Sequence, residues 1–426
     1  PVGNFNKMEQ QKTHTPAILG GKPAVTQSQA EANRWPILTE EDEQAVVEVM
    51  RSGNITTNPV ARELEQEYAA FVGRKFALSH NNGTSALMAA FFAIDLQPGD
   101  EVIVPTATFW ASVIPMLWLG AVPVFCECEE ERLGLCPSDV EGKITDKTRA
   151  IVVVHLWGLP SKMTELRAIA DRHGLKIIED ASHAHGASWR GKPCGALGDI
   201  SVFSLQGDKL APGGEGGVFL CDDEAFLERA MCMGDMMRML ELQTPAMRFA
   251  GTTFGIKTRI APVSAAIARV QLRHLLKRNA RRNENLVYLS EALESLGFHT
   301  YLGPDHVERV YFEFLVRHDE AATGLPLDLL IAALVAEGCE VHRPRYPLLH
   351  QQPLFTEGTW LQIARLPEGV SAREYSPEDL PRTQHGNSLM LKLPSFPNAD
   401  RPLLDQYIVA FQKVVANAAA IIEAKG

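Results

Sequence analysis

"DISVFSLQGDKLAPGGEGGVF", residues 199–219, sets an apolar strand, a single lysine and a cluster of glycines side by side. Val202 and Phe203 read as buried strand residues, and Lys209 follows them at the strand's end. Gly213, Gly214, Gly216 and Gly217 then let backbone come unusually close to whatever lies beside it. A lysine so placed is either a solvated cation or a desolvated amine kept for chemistry.

Outward from this stretch, strand-like and helical segments alternate. "KFALSH" (75–80), "DEVIVP" (100–105), "AVPVFCE" (121–127), "RAIVVVHLWG" (149–158) and "LKIIEDAS" (175–182) read as strands. "ARELEQEYAAFVG" (61–73), "TSALMAAFFAIDL" (84–96) and "MTELRAIADRHG" (163–174) read as helices. Continuous Val/Ile runs without polar alternation predict strands covered on both faces, hence an α/β fold with a mostly parallel sheet. Ligands of such sheets sit at the carboxyl ends of the strands. From about 276 the pattern changes to a long charged helix (278–297), the strand-like "RVYFEFLV" (309–316) and a closing helix (405–424). The expected organisation is an arm over 1–35, a large domain over 36–275 and a smaller α+β domain over 276–426.

Composition restricts the partners. A chain of 426 residues with 46% hydrophobic content exceeds one usual core. A net charge of -11 argues against nucleic acid and anionic membrane surfaces. Seven cysteines form no CxxC pair with metal-ligand spacing and no disulfide framework, so a reducing cytoplasm and no metal are expected. No apolar stretch reaches the roughly 18 residues of a membrane span, and "PVGNFNKMEQQKTH" (1–14) lacks the apolar heart of a signal peptide.

The strand ends carry the candidate site. In "NNGTSA" (81–86), Gly83, Thr84 and Ser85 stand between a strand and a helix, where free N–H groups and hydroxyls suit a phosphate; an ordinary N-cap by Thr84 or Ser85 is the plain alternative. Trp110 in "TFW" (108–110) could stack on a flat ring or fill a core. Asp180, ending the buried strand of "IIEDASHAHG" (177–186), needs a cationic or hydrogen-bonding partner, for which a protonated pyridine nitrogen would serve; an Asp that caps a turn is the competing account. A phosphate cradle, an indole, a carboxylate and an amine together make up the contacts that pyridoxal phosphate requires.

These stretches, with "AILGGKPAV", "RWP", "GDEVIVPTATFWAS" and "GIKTRIAPVSAAIARVQL", resemble the DegT/DnrJ/StrS family of pyridoxal-phosphate sugar aminotransferases over nearly the whole chain. The resemblance implies the aspartate-aminotransferase fold (fold type I), with Lys209 holding the cofactor as an internal aldimine. It implies Asp180 on the pyridine nitrogen, Trp110 on the ring, and Thr84, Ser85 and Ser204 on the phosphate. His183 falls where relatives carry a glutamine or histidine near the ring's phenolic oxygen. Lys257 stands where many relatives have an asparagine that reaches the phosphate across a dimer interface, which implies a homodimer with shared sites. Glutamate or glutamine would load the cofactor as pyridoxamine phosphate, and a keto-sugar or keto-cyclitol of antibiotic or polysaccharide biosynthesis would take the nitrogen.

Three other readings share these residues. One is a sugar dehydratase or an aminohydroxybenzoate-synthase-like enzyme, and the dehydratases replace the imine-forming lysine with histidine. Another is a cofactor-binding regulator without turnover. A third is a cysteine desulfurase, for which Cys194 is the nearest nucleophile but reads better as a small filler in a Gly-rich turn. For the acceptor, "VHRPRYPLLHQQPLF" (341–355) is a candidate pocket wall: Arg343 and Arg345 suit a phosphate or carboxylate, Tyr346 and His350 suit hydroxyls, and a solvated surface loop is the alternative.

Overall fold

Continuous apolar runs do become covered strands. In the computed structural model, which describes residues 15–130, 133–304 and 306–425, seven of them form one sheet: β1 (Phe76–His80), β2 (Glu101–Pro105), β3 (Val122–Cys126), β4 (Thr148–Val154), β5 (Lys176–Asp180), β6 (Ile200–Ser204) and β7 (Gly217–Cys221). Their order is β1-β7-β6-β5-β4-β2-β3. Neighbours among β2 to β6 pair parallel, and β7 runs against both β1 and β6. Ala150, Ile151, Val152 and Val153 of β4 are fully buried, as two covered faces require. The α/β class expected from the sequence is the one observed. The first fourteen residues of the expected arm, with the stretch read against a signal peptide, lie outside the described residues.

Helices cover both faces. α1 (Glu40–Arg51), α2 (Val60–Val72) and α3 (Gly83–Ala93) precede or join the first strands, and α4 (Met163–His173) returns the chain to β5. α5 (Glu224–Gly234) leaves β7. The helix expected over 278–297 is the second half of one continuous helix of 33 residues, α6 (Pro262–Glu294), so the expected boundary at 275/276 falls inside it. No helix breaker interrupts the sequence there, and the first half packs on α1 and α2 while Leu286, Leu289 and Leu293 enter a second core.

That second core gathers β8 (Phe298–His299), β9 (Phe314–His318) and β10 (Met390–Leu393), antiparallel in that order, with α7 (Leu327–Ala336) and α8 (Arg401–Ala416). Val25 and Ala32 of the arm are buried in it. Tyr301, Val310, Phe312, Phe355 and Trp360 pack instead on the sheet's core, so the C-terminal part of the chain serves both. The expected strand over 309–316 begins only at Phe314. Its first residues bond elsewhere: Val310 N–H donates to Gly158 O (3.0 Å) and Phe312 N–H to Trp157 O (3.2 Å). The closing helix begins earlier than expected, at Arg401, and bends by 68° between Ala416 and Ala418. Among the described residues no single helix is long and apolar enough to cross a membrane, all seven cysteines are free and buried, and no metal-binding group occurs.

Candidate active site

At the carboxyl ends of β4, β5 and β6 the strands leave a cavity of about 790 Å³. Gly83, Thr84, Trp110, Asp180, His183, Ser204, Lys209, Arg345 and Tyr346, all singled out from the sequence, line it together.

One wall is the start of α3. Its N-cap is Asn82, whose side-chain oxygen accepts the Ser85 N–H at 2.8 Å, and neither Thr84 nor Ser85 caps the helix. Among the described residues, the N–H groups of Gly83 and Thr84 have no acceptor. These free donors, the positive helix end and the Ser204 side chain share one corner, which is a suitable seat for a phosphate. Close backbone approach builds that corner: a Cβ on Gly83 would stand 2.8 Å from Ser204 Cβ, and one on Gly217 would stand 2.5 Å from Asn82 O. Ser85 does not line the cavity.

The floor is Asp180, 6% exposed at the end of β5. Its Oδ2 accepts the hydroxyl hydrogen of buried Ser112 at 2.6 Å, and its Oδ1 accepts the Ser182 N–H at 3.1 Å. The turn-capping account of Asp180 therefore holds for one oxygen, while the side chain still faces the cavity. The adjacent Glu179 points the other way. It binds His155 Nε2 (2.9 Å) and the Gly195 N–H (2.8 Å), which fixes the strand end from behind. Cys194, beside His155, is buried and does not line the cavity.

Lys209 enters from the turn after β6. Its Nζ stands 4.2 Å from the centre of the Phe312 ring. Burial brings its pKa down from 10.5 to about 8, against the opposing pull of the Asp180 charge. The arm contributes as well, since Trp35 Nε1–H donates to Lys209 O at 3.1 Å.

His183 lies in a stack of rings, with the Phe312 centre at 4.2 Å, Trp157 at 5.5 Å and Tyr346 at 6.0 Å. Its Nδ1 accepts the Trp157 N–H at 3.3 Å, which leaves the ring hydrogen on Nε2, 3.4 Å from the Tyr346 hydroxyl. Burial and then the charges of Lys209 and Arg345 hold its pKa well below the usual value, so the ring is neutral. Trp157 aims its N–H there from a left-handed backbone (φ 58°), a conformation that residues other than glycine seldom adopt. Trp110 stands at the mouth, 46% exposed, with its ring centre 4.9 Å from that of Phe109.

Besides Ser85, three predicted residues lie elsewhere. His350 is fully buried and bonded through Nδ1 to Thr106 Oγ1 (2.7 Å), and it does not line this cavity. Arg343 is exposed and held by Asp328 (2.5 Å) and Ser388 O (2.7 Å). Lys257 is exposed and does not line the cavity of its own chain; the next residue, Thr258, bonds to Asn81 N–H and to His80 Nδ1. Asn82, Ser112, Trp157 and Phe312 were missed. Asn82 had a signal, a cap-type residue directly before an apolar helix, whereas the others act through contacts distant in sequence.

Residues 36–401 match the model of the DegT/DnrJ/EryC1/StrS aminotransferase family. A Micromonospora echinospora protein assigned by name as an L-glutamine:3-amino-2,3-dideoxy-scyllo-inosose aminotransferase is 34% identical over 357 residues, 82% of this chain and 84% of that one. The aminotransferase from Psychrobacter cryohalolentis superposes with a TM-score of 0.80 at 27% identity, over 91% of this chain and 99% of that one. DesV of S. venezuelae, solved with a ketimine intermediate, superposes with a TM-score of 0.75 at 31% identity, over 88% of this chain and 94% of that one.

Proposed function

The chain belongs to the DegT/DnrJ/EryC1/StrS aminotransferases, and on that premise we propose that it is a pyridoxal-phosphate enzyme moving the amino group of glutamine to a keto-cyclitol or keto-sugar. One observation carries the reading. The free N–H groups of Gly83 and Thr84, the Asp180 carboxylate and the buried Lys209 amine face one cavity, at the spacing of strand ends in one sheet.

The donor set fits the cofactor group by group. Gly83, Thr84 and Ser204 would hold the phosphate. Asp180, positioned by Ser112 and Ser182, would pair with the ring nitrogen, and Trp110 would offer its indole to the ring. Neutral His183 would offer its Nε2–H as a hydrogen-bond donor to the ring's oxygen. When bound, the cofactor supplies an electron sink for the carbanion left when the donor's carbon–hydrogen bond breaks. Lys209 would hold the cofactor's aldehyde carbon, and its amine, when free, would be placed to hold and move a proton at the substrate carbon. A lysine with a pKa near 8 can do both, since each protonation state is accessible near neutrality.

Glutamine as donor and a cyclitol as acceptor are supported by the name of the M. echinospora relative. Thr108, Gln206, Tyr346 and Gln352 on the cavity wall offer hydrogen bonds to a polyol. The active unit of this proposal is a homodimer in which Lys257 of one subunit reaches the phosphate of the other. Exposed Phe254 and Ile256, beside Lys257 on the same loop, support a buried interface there. The test is to incubate the cofactor-loaded protein with glutamine or glutamate and a panel of keto-cyclitols and nucleotide-linked keto-sugars, and to read aminated product by mass spectrometry. Product from a keto-cyclitol with glutamine is expected, and loss of amino groups to none of the acceptors would overturn the reading.

A further inference from the structure

The proposed reaction places opposite demands on one cavity. The amino-acid donor brings a carboxylate, whereas a keto-cyclitol brings none, and both must present their reacting carbon to the same atoms. Among the described residues lining the cavity only Lys209 and Arg345 are cationic, and Lys209 is engaged in the nitrogen chemistry.

Arg345 stands between two spaces. It lines the 790 Å³ cavity and also a neighbouring one of about 350 Å³. It rests on Glu313, with Nη2 2.5 Å from Oε1, and lies 3.7 Å from Asp208. Its side chain is 41% exposed and therefore has room to turn. Glu313 is almost fully buried, and the same oxygen accepts from Lys392 Nζ at 2.9 Å. A buried carboxylate stripped of its only cation is strongly destabilising. Lys392 prevents that outcome, so Arg345 can leave Glu313 without stranding it.

The reach is short. Arg345 Cζ lies 5.7 Å from the centre of the Phe312 ring, and Lys209 Nζ lies 4.2 Å from the same centre, so the two cations are no more than about 10 Å apart. The donor's α-carboxylate is attached to the carbon that carries the exchanged nitrogen. A turn of the arginine side chain brings its planar fork to that carboxylate.

Resting on the function proposed above, we infer that Arg345 is the donor-carboxylate anchor, and that Glu313 is its resting place while the uncharged acceptor occupies the cavity. The neighbouring Arg343 cannot share the task, being tied to Asp328 and Ser388.

The experiment uses the cofactor-loaded enzyme and follows each half of the exchange separately by absorbance. Donors are L-glutamine and 4-aminobutanamide, the same chain without the carboxylate. Arg345→Gln is expected to lower the efficiency with glutamine about 100-fold, the order of a charge-assisted contact. It should leave 4-aminobutanamide and the keto acceptor within about threefold, because neither carries the anchored group. The dissociation constant of 2-methylglutamine, which has no α-hydrogen to lose, should weaken by a similar factor in titration calorimetry. Glu313→Gln frees Arg345, and is expected to raise the acceptor's KM while glutamine binds as well or better. A loss shared equally by both donors, or an unchanged preference for glutamine in Arg345→Gln, would overturn the anchor. Failure of the wild-type enzyme to react with any amino acid would instead overturn the functional reading, and the anchor with it.

Discussion

Lys209 Nζ sits 4.2 Å from the centre of the Phe312 ring, and Phe312 is held in place by the backbone bonds of Val310 and Phe312 to the Trp157–Gly158 turn. The ring takes the place of water on one side of the amine, and burial sets the pKa at about 8. Only the unprotonated amine attacks an aldehyde, so capture of pyridoxal phosphate by the apoprotein should speed up with pH and level off above a midpoint near 8. Phe312→Ala admits water and should move that midpoint upward. Stopped-flow absorbance across the pH range reads both, and a wild-type midpoint at the ordinary lysine value would refute the desolvation argument.

Ser112 should matter chiefly through Asp180. Its buried hydroxyl, which also lies 3.0 Å from Thr108 Oγ1, gives Asp180 Oδ2 a 2.6 Å bond. Replacing it with alanine removes about 1.5–3 kcal/mol of support for the charged carboxylate. The carboxylate then loses its fixed orientation, and kcat/KM should fall about 10- to 100-fold with the fold intact. An unchanged kcat/KM in a cofactor-loaded Ser112→Ala enzyme would show that the bond does not support Asp180.

Gly83→Ala tests the phosphate seat. Alanine is the better helix former by roughly 1 kcal/mol, but overpacking against Ser204 opposes that gain, so the apoprotein should unfold no later than the wild type. The new Cβ, 2.8 Å from Ser204 Cβ, must push the strand end away from the helix start. Cofactor affinity should fall at least about tenfold, the effect of losing one good anion contact. Equal affinity in a fluorescence titration would place the phosphate elsewhere.

Complementation tests the two-chain site. Lys209→Ala and Lys257→Glu chains should each be inactive alone. Mixed dimers of the two should regain activity, because one of their two sites has both lysines intact. A mixture shown to contain heterodimers that remains inactive would place Lys257 outside the partner's site.

The sheet and most of the cavity were legible because they depend on local pattern. Buried strands such as 149–154, 176–180 and 200–204 carry their signal in apolar runs rich in Val and Ile; Asp180 ends one of them and Lys209 lies in the turn that follows another, so both inherit positions at the strand ends. What was not legible depends on partners far along the chain. The strand expected over 309–316 loses its first half because Val310 and Phe312 bond to a left-handed turn at Trp157, which no propensity reveals. His350 looked like a hydroxyl reader from its loop, yet Thr106, 244 residues away in the chain, holds it in the core. Arg343 and Arg345 are chemically alike in sequence, and only the position of Asp328 and Glu313 separates them.

The most direct test of the account is to reduce the cofactor-loaded protein with borohydride and map the modified peptide. The account predicts a single phosphopyridoxyl group on Lys209, in the peptide containing "SLQGDKLAPGG", and loss of the label in Lys209→Ala. A stable adduct on any other lysine of the wild-type protein, or a protein that binds the cofactor without forming a reducible bond, would contradict it.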